Sequence, residues 1–217
     1  RRWLRARPFL VRACRTFRAH AISRVVSADE PSVTHVDLCA GVGGFSFALR
    51  AVQPTATTVG FSEVLEYAKQ VYAANFPHAA DLGDARTASW PTCTLLTAGF
   101  PCQPFSGANV PEKRADHAQR DFYKVVLQAT AQTRATRVVF ENVPQLLTGG
   151  SDEWTGLLSG LREMGFALEH AVLHATDFGL PQDRRRLYLV GRRDGVAPRP
   201  LDEIPPCPAT CLRDILE

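Results

Sequence analysis

A short buried run from Val33 to Leu38 leads directly into Cys39-Ala40-Gly41-Val42-Gly43-Gly44, and the residues from Phe45 to Val52 then turn apolar at helical spacing. Few folds accommodate that order of strand, glycine-rich turn and helix. Thr57 to Phe61 supplies a second strand, and it leads to Glu63, twenty residues past Gly43. At that distance a nucleotide-binding βαβ unit carries an acid for a ribose hydroxyl. The plainer alternative stays open at this point: glycines that only let a helix approach a strand closely.

The alternation continues. Glu66 to Phe76 reads as a helix stopped by Pro77, and Asp81-Leu82-Gly83-Asp84 closes a short third strand with a polar turn. Cys93 to Ala98 has the length and β-branched content of a buried central strand. Arg120 to Gln132 resumes helical periodicity, Arg137 to Phe140 is a fifth strand, Trp154 to Met164 a further helix, Phe166 to His174 a sixth strand, and Leu187 to Gly191 a last one. Strands interleaved with helices predict an α/β fold built on a doubly wound, mainly parallel sheet. Residues 33–193 are the expected domain.

Several of these strands end in groups capable of chemistry. Ligands of open α/β sheets bind at the carboxyl ends of the strands, so Gly41 to Gly44, Glu63, Asp84 and Glu141 should share one edge. The central strand ends in Gly99-Phe100-Pro101-Cys102-Gln103-Pro104-Phe105-Ser106. Prolines on both sides of Cys102 exclude a helix and restrict the backbone, which suits a thiol held in one orientation. On the octapeptide alone, a core cysteine beside a proline turn is an equal reading. The polar stretch from Gly107 to Gln119 is a loop of a length that is usually functional or mobile.

Composition narrows the class. The chain has 217 residues, 45% hydrophobic and 22% charged, enough for one domain with a real core. No apolar run approaches the roughly 18 to 20 residues a membrane helix needs. Its six cysteines, at 14, 39, 93, 102, 207 and 211, are too irregular for a small secreted disulfide framework, so an intracellular, reducing location is expected. Cys207 and Cys211 have no second pair or histidine cluster nearby, and no metal site is expected. Charge is uneven: residues 1–28 carry eight Arg and no acid, and the remainder holds 17 basic against 22 acidic residues. Residues 1–32 are expected to be a basic, disordered leader, and 194–217 an irregular tail with one helical turn at Cys211 to Leu216.

In order and spacing, Asp37 to Gly44, Gly99 to Ser106, Glu141-Asn142-Val143 and Pro181-Gln182-Asp183-Arg184-Arg185-Arg186 resemble the hallmark motifs of C5-cytosine DNA methyltransferases. The resemblance implies a Rossmann-like methyltransferase fold, S-adenosylmethionine as methyl donor with S-adenosylhomocysteine as product, and a flipped-out cytosine of double-stranded DNA as acceptor. It implies that Cys102 adds to C6 of the base, that Glu141 binds and protonates N3, and that Arg184 and Arg186 hold the nucleotide and the groups around it. Cys39, Ala40, Gly41, Val42, Gly43, Gly44, Glu63, Val64, Asp84, Ala85, Gly99 and Pro101 are the implied cofactor-binding positions. Gln103 and Ser106 are the implied DNA contacts.

Two positions depart from the family pattern. Cys39 stands where an aromatic residue commonly packs against adenine, and Val64 where one often follows the ribose-binding acid. The family also continues into a target-recognition domain after its last catalytic-domain strand. The resemblance therefore implies a truncated catalytic part, completed by downstream sequence or a second chain, with weak DNA binding on its own. A degenerate, non-catalytic binding or regulatory protein is the alternative; RNA cytosine methylation is disfavoured by Gln103.

Overall fold

The structure, a computed structural model, describes residues 18–27, 32–101, 121–149, 151–201 and 203. Seven strands form one sheet: β1 (Thr34–Leu38), β2 (Thr57–Ser62), β3 (Ala80–Asp81), β4 (Leu95–Ala98), β5 (Arg137–Asn142), β6 (Ala167–His174) and β7 (Arg185–Arg192). The helices are α1 (residues 18–23), α2 (Gly44–Val52), α3 (Glu66–Asn75), α4 (Phe122–Thr133), α5 (Leu146–Gly149) and α6 (Ser151–Glu163).

The strand order is β3-β2-β1-β4-β5-β7-β6. From β3 to β5 every pairing is parallel, whereas β7 runs antiparallel to both β5 and β6. This is the expected mainly parallel sheet. Chain order reverses between β1 and β4, so the crevice at their carboxyl ends is the natural ligand position.

Strand residues alternate between two buried layers, as the pleat requires. Val36, Leu38, Leu96, Ala98, Val138 and Phe140 face one layer, where α4 contributes Phe122, Val126 and Ala129, and α6 Leu157 and Leu161. Leu95, Val139, Tyr188 and Val190 face the other, against Phe45, Ala48 and Leu49 of α2. On that second face the intervening positions His35, Asp37 and Thr97 are polar and fully buried, and they satisfy one another. Thr97 Oγ1 donates to Asp37 Oδ1 at 2.7 Å and Ser46 Oγ to Asp37 Oδ2 at 3.0 Å, which ties the first turn of α2 to β1. With the Thr97 proton committed to Asp37, His35 Nε2–H donates to Thr97 at 2.8 Å and Nδ1 accepts from Thr58 at 3.0 Å. Burial lowers the His35 pKa to about 3, consistent with this neutral ring.

Part of the expected leader is core instead. Ala21, Ile22, Val25 and Val26 are all at most 3% exposed and pack into the α2 layer. The physical reason is their spacing: apolar residues at i, i+1, i+4 and i+5 make one stripe, and the arginines around them mask it in a composition count. Leu201, in the expected tail, is buried in the same cluster. Arg199 donates to the Ser23 carbonyl at 3.1 Å and Arg24 to the Glu203 carbonyl at 3.3 Å, joining the two ends of the described chain. Residues 1–17 and the turn expected at 211–216 lie outside the described residues.

Candidate active site

A cleft of about 570 Å³ opens at the carboxyl ends of β1, β2, β4 and β5. Cys39, Gly41, Glu63, Val64, Asp84, Ala85, Gly99, Pro101, Glu141, Arg184 and Arg186 line it, all of them anticipated from the sequence. Ala40 is buried under the turn, Val42 is half exposed, Gly43 caps α2 and Gly44 opens it; none of these four lines the cleft. Cys102, Gln103 and Ser106 lie outside the described residues.

Glu63 organises one end. Its Oε2 accepts from Gly41 N–H at 2.8 Å, and its Oε1 from Val64 N–H at 2.8 Å and Leu65 N–H at 2.9 Å. One carboxylate thus locks the glycine turn after β1 to the start of α3, and one of its roughly four lone-pair sites is left over from these three bonds. Ser62 Oγ donates to the Gly83 carbonyl at 2.8 Å, bringing the turn that carries Asp84 alongside. Asp84 Oδ1 accepts from Arg86 N–H at 2.9 Å, and the Arg86 guanidinium stands 5.1 Å from the Phe122 ring centroid.

Glu141 organises the other end. Arg186 Nε lies 2.9 Å and Arg184 Nη2 3.6 Å from its Oε1, and Arg18 Nη2 of α1 lies 3.7 Å from its Oε2. The carboxyl is only 10% exposed, so these cations act where solvent screens them little. Its neighbour Asn142 accepts from Val143 N–H at 2.8 Å and donates to the Phe100 carbonyl at 3.4 Å. That bond fixes the chain two residues before Cys102 to the strand that carries Glu141.

Two other cysteines are described. Burial, with the charges of Glu63 and Asp37, pushes the Cys39 thiol up to about 12, and burial raises Cys93 likewise to about 12. Neither supplies a thiolate near neutral pH. Cys39 sits in the left-handed region at φ 53, placing a small side chain on the cleft wall where an aromatic residue was noted as missing. Val64 is 63% exposed.

Sequence reasoning passed over Ser62, Leu65, Arg86, Phe100, Phe122, Asn142 and Val143 as cleft residues. Phe100, Asn142 and Val143 belong to the Gly99–Ser106 and Glu141–Val143 motifs, which is the signal that marks them. Arg86 and Phe122 come from segments far apart in the chain and carry no local signal. Among the described residues there is no cluster of ligating side chains fit for a metal, and no helix long and apolar enough to cross a membrane.

The fold is that of Rossmann-like methyltransferases. The S. pombe Dnmt2 methyltransferase superposes with a TM-score of 0.61 at 22% identity, over 80% of this chain and 53% of that one. A putative DNA modification methyltransferase encoded within an E. coli prophage gives 0.62 at 21% identity, over 74% and 47%. The chain belongs to the C-5 cytosine-specific DNA methylase family, whose family model matches residues 33–209. Among curated relatives, the type II methyltransferase M.NlaX of Neisseria lactamica is 35% identical over 84% of this chain and 59% of its own length. M.NgoBI of Neisseria gonorrhoeae is 34% identical over 79% and 55%. The chain therefore spans little more than half the length of these relatives.

Proposed function

We propose that this chain is the catalytic part of a DNA (cytosine-5-)-methyltransferase that takes its methyl group from S-adenosylmethionine. The observation that carries the reading is the meeting of two anchored carboxylates in one cleft: Glu63 clasped by the Gly41 turn, and Glu141 clasped by Arg184 and Arg186. The residues fit the cofactor. The cleft volume lies in the range of small-molecule sites. Gly41, at φ +56, has nothing within 4 Å of where a side chain would begin, so its backbone can meet the methionine portion directly. Glu63 would take the ribose hydroxyls and Asp84 the adenine amino group. The bound cofactor supplies an electrophilic methyl group.

The remaining chemistry falls to side chains of this chain. Cytosine C5 is a weak nucleophile until a thiolate has added to C6; Cys102 would supply that thiolate, forming an S–C6 bond and moving the electron pair toward C5 and N3. Glu141 would face N3, take up a proton from solvent and pass it to the ring nitrogen as the thiolate adds, with Arg184 and Arg186 fixing its rotamer. After C5 has gained the methyl group, its proton would pass to solvent water as the C6–S bond breaks and releases the Cys102 thiolate, and N3 would return its proton to Glu141, which restores the ring. The base is presented by extrusion from the duplex.

Residues 29–217 carry five more acidic than basic residues. Such a body offers little positive surface to replace phosphate counterions, so tight duplex binding would draw on basic surface from a partner chain or further sequence. The test is covalent capture: duplex DNA with 5-fluorocytosine at the target, plus S-adenosylmethionine, should yield an adduct stable to denaturation. Because the target sequence is unassigned, the duplex is a pool of randomised sites. Cys102→Ala should abolish the adduct; an adduct that survives this substitution refutes the assignment.

A further inference from the structure

Glu141 is gripped by three arginines, and one grip comes from outside every motif. By strand alternation Glu141 follows Val139 onto the α2 face, the face that α1 covers. From α1 the Arg18 guanidinium passes over the Phe45 ring, 4.8 Å from its centroid, and reaches Glu141 Oε2 at 3.7 Å. Its charge also reaches the buried Tyr188 hydroxyl on β7 and the buried Asp37 on β1, opposing the burial that disfavours their ionised forms. Gly44 makes the passage possible, since a side chain there would begin on top of Arg18 Nη1. The base of the arginine is fixed by Ala21, Ile22, Val25 and Val26, all in the core. The charged and titratable groups around Glu141 are thus Arg18 from α1, Arg184 and Arg186 at the start of β7, Tyr188 on β7, and Asp37 behind them on β1.

We infer that Arg18 is a positioning residue for Glu141, so that the chain ahead of β1 supports the site from outside its lining. Arg184 and Arg186 hold Oε1; Arg18 holds Oε2, and a carboxyl fixed at both oxygens has one orientation toward the cleft. The inference rests on the reading of Glu141 as the group that meets the base. It is tested in the full chain with Arg18→Met, which keeps an apolar stem, and Arg18→Lys, which keeps the charge. With saturating DNA and S-adenosylmethionine, Arg18→Met should form the 5-fluorocytosine adduct roughly tenfold more slowly, since small misplacement of a reacting group has effects of that order or larger. Arg18→Lys should stay within about threefold of the parent, and half-saturation by the cofactor should move less than about twofold in both, because Arg18 does not line the cofactor cleft.

A second measurement does not depend on turnover. In urea unfolding, Arg18→Met should shift the folding equilibrium at least about threefold less in a Glu141→Gln background than in the parent, as expected of coupled partners. Equal shifts in the two backgrounds, an unchanged adduct rate in Arg18→Met, or equal slowing by Met and Lys would each overturn the inference alone. Failure of the unaltered chain to form any adduct would overturn the reading of the site and this inference with it.

Discussion

Asp37 gives the molecule a pH dependence of unusual sign. Burial raises its pKa from 3.8 to about 6, against the opposing effect of hydrogen bonds from Thr97 and Ser46 and the charge of Arg18. Between those two values the folded chain binds a proton that the unfolded chain has released, so stability attributable to Asp37 falls as pH rises. A difference of roughly two pH units corresponds to about 3 kcal/mol lost between about pH 4 and pH 7. His35 and His20, lowered to about 3 and about 4, act in the opposite direction: stability due to them is full above pH 6.5 and is lost as pH falls. Asp37→Asn removes the first effect and retains the second. Its stability relative to the parent should therefore improve by about 3 kcal/mol from pH 4 to pH 7, measured by urea unfolding followed by tryptophan fluorescence. The amide leaves one of the two hydroxyl donors without its acceptor, a pH-independent offset of about 1 kcal/mol, so the slope is the readout. A difference between the two proteins that stays constant within about 1 kcal/mol over that interval would refute the reasoning.

Glu63→Gln replaces an acceptor that serves three backbone N–H groups with one that turns an amide NH₂ toward some of them. It should weaken S-adenosylhomocysteine binding at least tenfold by calorimetry, given about 1.5 to 3 kcal/mol for a hydrogen bond to a charged group. Ile22→Ala should cost about 2 to 4 kcal/mol in urea unfolding, since Ile22 is fully buried; a loss below about 0.5 kcal/mol would mean that α1 is not part of the core.

The identity of most elements was legible along the chain because periodicity reports local backbone and one-sided burial. The helix expected at Glu66 to Phe76 occupies Glu66–Asn75, and the one expected at Arg120 to Gln132 occupies Phe122–Thr133. α5 and the 3₁₀ turn Ala175–Phe178 were not anticipated, being too short to show a period. α1 was hidden by its arginines. The edge on which Glu63, Asp84 and Glu141 gather was also legible, because parallel strands joined by helices must all end on the same side.

Sequence by itself determined the alternating strands and helices, the glycine turn with its acid, and a set of motifs specific enough to name a family. The tertiary structure alone decided that β7 inserts antiparallel between β5 and β6, which carries Arg184 and Arg186 onto Glu141, and that α1 delivers Arg18 to the other oxygen of the same carboxyl. The reason is the range of the forces that set each feature. Side-chain spacing along a segment selects its local conformation, whereas strand partners and the docking of a buried stripe are chosen by complementary surfaces that meet only once the whole sheet has formed.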